Sequence, residues 1–232
     1  MLIDKGLSLV ETHNLLEMSS SFIDFIKLTF GTAALYQSEV LKQKLELAAL
    51  KGVEVYPGGT FFEIAHWQNK SEQFFLKLHE LNFKWVEISD GTIQLSREER
   101  CKVIDSAFQA GLKVITEAGK KHPEIQPDAE SLIKIINSDL EMGVSWVIVE
   151  ARESGQGIGI FDHQGGIIEE KLELIKESIP HEKVIWEAPL KKQQAKLIND
   201  FGPNVNLGNI PPAEALALEA LRLGFRSDTW KV

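Results

Sequence analysis

The sequence has little of what extracellular, membrane or nucleic-acid-binding proteins need. It holds one cysteine, Cys101, which excludes an intramolecular disulfide framework and indicates a reducing, cytoplasmic location. No apolar run approaches the roughly 18 residues that cross a bilayer, so we expect no membrane partner and no signal peptide. Positive charge is scarce, with 25 Lys and Arg against 34 Asp and Glu and a net charge of −9. Because this balance repels a polyphosphate backbone, we expect no nucleic-acid partner.

Several familiar catalytic motifs are also missing. The six histidines are dispersed and show no H-E-x-x-H spacing for zinc. There is no Walker lysine and no G-x-S-x-G nucleophile turn. Glycines 155, 157 and 159 suggest a dinucleotide-binding fingerprint, but position 160 is Ile160, so the third glycine is misplaced. We predict instead that this segment forms a flexible lid.

The sequence does contain a regular alternation of β-rich and helical segments. Leu41, Leu45 and Ala48, for example, recur at i, i+4 and i+7 as on one face of a helix. No composition shift or linker divides the chain, so residues 1–232 are predicted to form a single domain. The eight β/α units in 232 residues favour an α/β protein with a single eight-stranded parallel (β/α)8 TIM barrel. An open doubly wound sheet is the alternative. The predicted strands cover residues 2–3, 22–28, 53–56, 85–88, 113–116, 146–149, 183–186 and 204–207.

Carboxylates concentrate where the predicted strands end, which is the functional face of a β/α barrel. Glutamates lie at four successive strand ends, at Glu87, Glu117, Glu150 and Glu187. Converging carboxylates repel each other by about 4 kcal/mol per pair at 4 Å and an effective dielectric constant near 20. Oxygen ligands of this kind suit Mg²⁺, which would offset that repulsion. We therefore predict a Mg²⁺ site whose ligands come from these four residues, with no order among them.

Cations and polar side chains follow the same strand ends. Lys5, Lys27, Lys120, Lys121 and Arg152 would form an anion site if they shared one barrel face. The turn at Gly58, Gly59 and Thr60 could add backbone N–H groups, and the turn before the last helix could hold a phosphate. The predicted substrate-binding residues are Lys5, Lys27, Arg152, Ser154, Asn206 and Asn209.

Short motifs at these strand ends carry a family resemblance. They include I-D-K-G-L (residues 3–7), Y-P-G-G-T-F-F-E (56–63), V-E-I-S-D-G (86–91), T-E-A-G-K-K (116–121), E-A-R-E-S-G (150–155), W-E-A-P (186–189) and V-N-L-G-N-I (205–210). In this order and over nearly the whole chain, they resemble the phosphosulfolactate synthase family. The second strand departs from the pattern, because it reads I-K-L-T-F-G-T-A (26–33) where the family usually has K-F-G-W-G-T-S.

The resemblance implies a specific enzyme. Members of that family are β/α barrels, carbon–sulfur lyases that add sulfite to phosphoenolpyruvate in a Mg²⁺-dependent reaction and give (2R)-2-O-phospho-3-sulfolactate. By resemblance, Lys121 is the general acid that protonates carbon 2, with Lys120 as the reserve. We expect the pKa of this lysine to be depressed beside other cations. The implied partners are the small anions phosphoenolpyruvate and sulfite and, since family members tend to self-associate, further copies in a homo-oligomer.

Two other functions stay open at this point. One is a catalytically inactive, stress-associated barrel of the same family, which loss of the strand-end lysines or carboxylates would favour. All of these residues are present in this sequence. The other is a different metal-dependent lyase that acts on a phosphorylated enol.

Overall fold

The computed structural model describes residues 1–231, in which parallel strands alternate with helices. None of the helices in these residues combines the length and the apolar composition needed to cross a membrane. The strands are β1 (Leu2–Asp4), β2 (Phe25–Leu28), β3 (Glu54–Pro57), β4 (Trp85–Ile88), β5 (Lys113–Ala118), β6 (Trp146–Val149), β7 (Val184–Glu187) and β8 (Leu207–Gly208). The α-helices are α1 (Leu9–Ser19), α2 (Ser38–Leu50), α3 (Gly59–Trp67), α4 (Ser71–Glu80), α5 (Arg97–Gln109), α6 (Ala129–Glu141), α7 (Glu169–Ser178), α8 (Lys191–Phe201) and α9 (Ala215–Arg222).

The strands form two parallel sheets that follow chain order. One sheet has the order β1-β2-β3 and the other β4-β5-β6-β7-β8. A parallel bridge between Leu2 and Ile210 links the first strand to the residues after the last one, and Ile3 N–H donates to Ile210 O at 3.0 Å. The predicted α/β class with parallel strands is therefore confirmed.

The backbone shows how several helices end and begin. Gly52, Gly111 and Gly143 follow α2, α5 and α6 with φ of +73°, +80° and +90°, a left-handed conformation that glycine adopts without strain. Asp128 caps α6, because its carboxylate accepts the N–H of Ser131 at 2.8 Å. These signals end and begin the helices that return the chain to the next parallel strand.

The position of the eighth strand differs from the prediction. Residues 204–207 were predicted as strand, but β8 begins at Leu207 and continues to Gly208. Trp186 N–H donates to Asn206 O at 2.9 Å, so Asn206 lies where the strand starts and not where it ends. The predicted strands over residues 85–88 and 146–149 match the structure residue for residue.

An apolar layer fills the space between the two sheets. It consists of buried side chains from six successive strands, Phe25, Tyr56, Trp85, Ile115, Ile148 and Ile185. Phe25 from one sheet and Trp85 from the other meet edge to face, with ring centroids 5.1 Å apart. Since side chains alternate along a strand, the residue two positions further on points into the same interior. The sequence therefore places five ionisable side chains in the next layer, Lys27, Glu87, Glu117, Glu150 and Glu187.

Candidate active site

A cavity of about 1070 Å³ opens at the carboxyl ends of the strands. Its floor is the ionisable layer above the apolar one, and its walls are the loops after β2, β3, β4, β5, β6 and β8. The side chains that line it include Lys27, Phe30, Thr60, Glu87, Glu117, Lys121, Glu150, Arg152, Ser154, Glu187 and Asn209. The structure thus brings together most of the strand-end residues that the sequence singles out.

Three of the four predicted metal ligands form one cluster. Glu117, Glu150 and Glu187 are buried, and each offers a carboxylate oxygen within 4.8 Å of the other two. Backbone donors fix two of them: Ala151 N–H donates to Glu187 Oε2 at 3.0 Å, and Arg152 N–H donates to Glu150 Oε1 at 2.5 Å. Each carboxylate therefore keeps an oxygen that can face a common point.

The fourth glutamate, Glu87, has other partners. Its Oε1 accepts the N–H of Gly59 at 2.7 Å, at the start of α3, and its Oε2 lies 3.0 Å from Lys27 Nζ. A Cβ at Gly59 would lie 2.6 Å from Glu87 Oε1 and 2.5 Å from Ser89 Cβ, so the close approach requires glycine. The N–H group of Gly59 that was predicted for an external anion is thus bonded to a carboxylate of the chain itself.

Lys27 neutralises part of the carboxylate charge. Its Nζ lies 3.0 Å from Glu87, 3.3 Å from Glu117 and 3.3 Å from Glu187, and the side chain is only 8% exposed. Burying a lysine costs free energy that several close carboxylates offset. Lys27 lines the cavity, as its predicted role in anion binding requires, but three carboxylates already surround its ammonium.

The two adjacent lysines after β5 point in different directions. Lys121 lines the cavity, and its Nζ lies 2.9 Å from Thr60 Oγ1 and 3.3 Å from Glu117 Oε1. Lys120 lies outside the lining: its Nζ donates to Asp90 O at 2.6 Å and to Asp90 Oδ2 at 2.7 Å, and it also reaches Ile93 O. Of the predicted pair, Lys121 therefore reaches the cavity, whereas the Lys120 ammonium binds to residues of the loop after β4.

The charges in this layer perturb one another. Burial raises the pKa of Glu87 to about 7, although Lys27 opposes the shift. Burial and the negative charges of Glu117 and Glu187 raise the pKa of Glu150 well above its ordinary value. Burial also acts to raise the pKa of Glu117, but the ammonium groups of Lys121 and Lys27 outweigh it and hold that pKa below its ordinary value. Without an added cation, the layer therefore holds protons on some of its glutamates.

The expected depression of the lysine pKa is wrong for this structure. Burial acts to lower the pKa of Lys121, but the carboxylates of Glu117, Glu150 and Glu63 raise it above its ordinary value. The prediction assumed cationic neighbours, whereas the closest ionised groups are anionic. Lys121 therefore keeps its proton over the physiological pH range.

The rim of the cavity carries the remaining predicted substrate groups. Arg152, Ser154 and Asn209 line it, and Asn209 Nδ2 donates to Arg152 O at 3.2 Å. Arg152 and Asn209 have left-handed φ values of +59° and +57°, which are uncommon for residues with a side chain and occur in strained functional loops. Lys5 lies beyond this wall, with its ammonium paired to Glu153.

Asn206 is misplaced by the prediction. Its Nδ2 donates to Glu182 O and Val184 O, both at 3.2 Å, next to the start of β7. It lines a separate cavity at the amino ends of the strands, together with Phe25 and Trp146. The assignment failed because β8 begins three residues later than predicted, so Asn206 precedes the strand.

The loop after β6 is packed and does not fit the predicted flexible lid. Gly159 N–H donates to Gln126 Oε1 at 2.9 Å, and Gln193 Nε2 donates to Gly155 O at 2.7 Å. Ile158, Ile160 and Phe161 are buried within it. A loop with buried apolar side chains and hydrogen-bonded backbone resists opening.

Gly159 offers a direct test of this packing. Its φ is +63°, and a Cβ would lie 2.1 Å from Glu150 O. We expect Gly159→Ala to lower the free energy of unfolding by roughly 3 kcal/mol or more, because the left-handed strain of about 1–2 kcal/mol is joined by a backbone clash. Gly52→Ala is the matched control, since Gly52 has a φ of +73° and open space around it. Urea denaturation of both variants measures the difference, and equal losses would contradict a packed loop.

Sequence reasoning missed Glu63 as a site residue. It lies in α3, is 2% exposed, and its Oε1 is 3.3 Å from Lys121 Nζ. Ser89 Oγ lies 2.6 Å from Glu63 Oε1 and 2.7 Å from Glu117 Oε1. Glu63 lies within a helix and not at a strand end, so the strand-end pattern does not include it. The available signal was its place in the 56–63 motif.

The donor set of the three-glutamate cluster fits a hard divalent cation. Carboxylate oxygens are the ligands that Mg²⁺ takes in proteins, usually with waters and substrate oxygens completing its shell. Glu150 Oε2 is buried and accepts no N–H or O–H donor within hydrogen-bond distance among residues 1–231, and the Lys121 ammonium lies 3.8 Å from it. A buried carboxylate oxygen without a donor is costly, and a cation at this position would satisfy it.

Comparison with solved structures agrees with the architecture. The 3-hexulose-6-phosphate synthase of Salmonella typhimurium is similar with a TM-score of 0.59 and 14% identity, over 97% of this chain and 98% of that protein. Orotidine 5′-phosphate decarboxylase from Pyrococcus horikoshii has a TM-score of 0.56 and 13% identity, over 95% and 98%. At these identities the likeness shows the fold alone, which is TIM-barrel-like.

Comparison with known sequences is more specific. The family model described as (2R)-phospho-3-sulfolactate synthase (ComA) matches residues 1–228. The phosphosulfolactate synthase of Methanothermobacter thermautotrophicus is 44% identical over 99% of this chain and 90% of that protein. The phosphosulfolactate synthase of Methanocaldococcus jannaschii is 42% identical over 99% and 92%. The chain with this glutamate cluster and its neighbouring lysine therefore belongs to the (2R)-phospho-3-sulfolactate synthase family and is an enzyme of that type.

Proposed function

We propose that this enzyme joins sulfite to phosphoenolpyruvate in a Mg²⁺-dependent reaction, with Glu117, Glu150 and Glu187 as metal ligands and Lys121 as the proton donor. One observation carries the proposal. Three buried carboxylates converge within 4.8 Å, and the Lys121 ammonium lies 3.3 Å from Glu117 and 3.8 Å from Glu150 in the same cavity. A cation site and a proton donor therefore share one reaction space.

The eight strands are proposed to close into one barrel around this space. Two features support closure: the parallel bridge between Leu2 and Ile210, and the apolar layer in which Phe25 and Trp85 meet across the two sheets. The ion pairs of Lys27 on β2 with glutamates on β4, β5 and β7 add a third. A single closed barrel over the chain accounts for all three contacts.

The reaction forms one carbon–sulfur bond and one carbon–hydrogen bond. The sulfur lone pair of sulfite attacks carbon 3, and the electron pair of the double bond moves to carbon 2 and its carboxylate. Glu117, Glu150 and Glu187 would hold the divalent cation, which would supply the Lewis acid for this negative charge. Lys121 then gives its proton to carbon 2 from the α3 side of the cavity, where Thr60 and Glu63 hold its ammonium. The phosphate ester is left intact, and solvent returns the proton to Lys121.

Anion binding is proposed for the cations and amides of the wall. Arg152 and Ser154 line the rim, and Asn209 follows β8 beside them. Lys27 reaches the cavity floor, and Lys5 stands at the outer edge beside Glu153. This arrangement puts the guanidinium near the entrance, where it attracts phosphate or sulfite past the buried glutamates.

The direct test is product formation. Purified enzyme is incubated with phosphoenolpyruvate, sulfite and Mg²⁺, and the phosphorylated sulfonate is sought by mass spectrometry. We expect the sulfonate to appear with all three components and to be absent when sulfite is omitted or Glu187→Gln replaces the enzyme. Metal-loaded enzyme that forms no sulfonate would overturn the proposal, and turnover of phosphoenolpyruvate without sulfite would point to another lyase. An inactive barrel is not favoured, because the cavity keeps its carboxylates and Lys121.

Cellular location and assembly are further parts of the proposal. A cytoplasmic location is supported by small metabolite substrates and by the free thiol of Cys101. A homo-oligomer is supported by large apolar side chains on the surface of the single chain, where Leu35, Trp67 and Phe225 are 80%, 76% and 78% exposed.

A further inference from the structure

Helix α3 supplies two contacts to the Lys121 ammonium. Thr60 Oγ1 lies 2.9 Å from Lys121 Nζ, and Glu63 Oε1 lies 3.3 Å from it. Glu63 is fixed in turn, because its Oε2 accepts the N–H of Thr92 at 3.0 Å. Residues at positions i and i+3 of a helix lie on one face, so α3 presents both groups to the same point.

The Lys121 ammonium lies between two sets of carboxylates. Glu63 is on the helix side, while Glu117 and Glu150, at 3.3 and 3.8 Å, are on the side of the proposed metal site. A divalent cation on that cluster repels an ammonium and competes for the same oxygens. Thr60 and Glu63 are then the contacts that keep Lys121 in the cavity wall.

We propose that Glu63 is a positioning residue for Lys121. From α3 it retains the ammonium at the cavity wall while the metal occupies the glutamate cluster, so that the proton is delivered from one side. This inference rests on the proposed role of Lys121 as the proton donor. A lysine side chain has several rotatable bonds, and without a charged partner on the helix side its ammonium would sample other positions.

A purely structural role for Glu63 is the competing explanation. Glu63 also contacts Ser89 and the backbone of Thr92, so it could simply hold the loop after β4. Glu63→Gln separates the two roles, because the amide oxygen still accepts the Thr92 N–H while the negative charge is lost. A structural role predicts the same loss of activity whether or not Lys121 is present.

The test is a double-mutant cycle with Mg²⁺ present. We expect Glu63→Gln to lower kcat about 10- to 100-fold, the range of a hydrogen bond to a charged group, with KM for phosphoenolpyruvate changed by less than about threefold. In the Lys121→Ala background, Glu63→Gln should change the residual rate by less than about twofold. Equal fold losses in both backgrounds, or a raised KM with unchanged kcat, would overturn the positioning role. Near-native kcat for Lys121→Ala alone would instead contradict the proposed role of Lys121 as the proton donor, while the product assay tests the proposed function separately.

Chemical labelling provides a readout that does not depend on turnover. Lys120 and Lys121 are modified with an amine-reactive acylating reagent, and the rates are resolved by fragmentation of their common peptide. In Mg²⁺-loaded Glu63→Gln, Lys121 should label faster than in the parent enzyme, while Lys120, which pairs with Asp90, serves as the internal reference. An unchanged ratio of the two rates contradicts the inference. If circular dichroism shows that Glu63→Gln does not fold, the double-mutant cycle with Lys121→Ala is repeated with Thr60→Val. Native kcat in Thr60→Val would then overturn the proposal that α3 positions Lys121.

Discussion

Turnover is expected to disappear when the enzyme is stripped of divalent metal with EDTA, and to return with Mg²⁺ or Mn²⁺. The reason is the convergence of Glu117, Glu150 and Glu187, whose oxygens lie within 4.8 Å of one another in a buried layer. Protons and lysines offset part of their negative charge in the free enzyme, and the proposed metal would offset it when an anionic substrate binds beside them. Undiminished turnover in a rigorously metal-free preparation would contradict the proposed role of the metal in catalysis.

Metal binding can be measured apart from catalysis by titration calorimetry. We expect Glu187→Gln to weaken Mg²⁺ binding by at least about 100-fold, more than the 10- to 100-fold that follows loss of an outer partner of a metal ligand. Glu87→Gln is the matched control, because Glu87 is as deeply buried but is bonded to Gly59 N–H and Lys27. Its effect should stay within about tenfold. Equal losses in the two variants would show that Glu87 belongs to the ligand set.

The glutamate layer was predictable from the sequence for a simple reason. Side chains alternate along a strand, so the residue two positions after each buried apolar side chain faces the same interior. Ile115 is followed in this way by Glu117, Ile148 by Glu150, and Ile185 by Glu187. Glutamates at equivalent places in successive parallel strands therefore lie side by side on one face, whether the strands form a barrel or an open sheet. The bond of Glu87 to the N–H of Gly59 depends on the packing of α3 against β4, which no sequence pattern shows.

Other site features depended on contacts that no local pattern contains. Asn206 was misplaced because β8 is only two residues long and its start could not be fixed from β-propensity. Glu63 was missed because it reaches the cavity from the first turns of α3, and the strand-end pattern does not include helix residues. The pKa of Lys121 was predicted in the wrong direction because its sign depends on which charges surround the ammonium in space.

The ionisable layer also lowers the stability of the folded state. Several glutamates are buried against fewer lysines, and burial holds the pKa of Glu87 at about 7 and that of Glu150 well above its ordinary value. A hydrophobic layer of the same shape would be more stable. This cost in stability is what we expect of a layer that serves the proposed cation and anion sites.

Lys121→Ala is expected to lower kcat by about 10² to 10⁴-fold, or roughly 3 to 5 kcal/mol of transition-state stabilisation, the usual contribution of a general acid. Binding of phosphoenolpyruvate should change far less, because the wall groups Arg152, Ser154 and Asn209 remain. Lys120→Ala is the comparison, since its ammonium is committed to Asp90 outside the cavity lining. We expect it to lower kcat less than about tenfold, through loosening of the loop after β4.

The split between kcat and KM decides what Lys121 does. If Lys121 only attracted anions, its loss would raise KM and leave kcat largely intact. If it delivers the proton, kcat falls and the product made in D₂O should no longer carry deuterium on a single face of carbon 2, because the residual reaction takes its proton from solvent on either side. Circular dichroism checks that both variants fold, since neither lysine packs in the apolar core. Near-native kcat in Lys121→Ala, together with a large loss in Lys120→Ala, would move the proton donor to the other lysine and contradict the geometry in which only Lys121 of the two reaches the cavity.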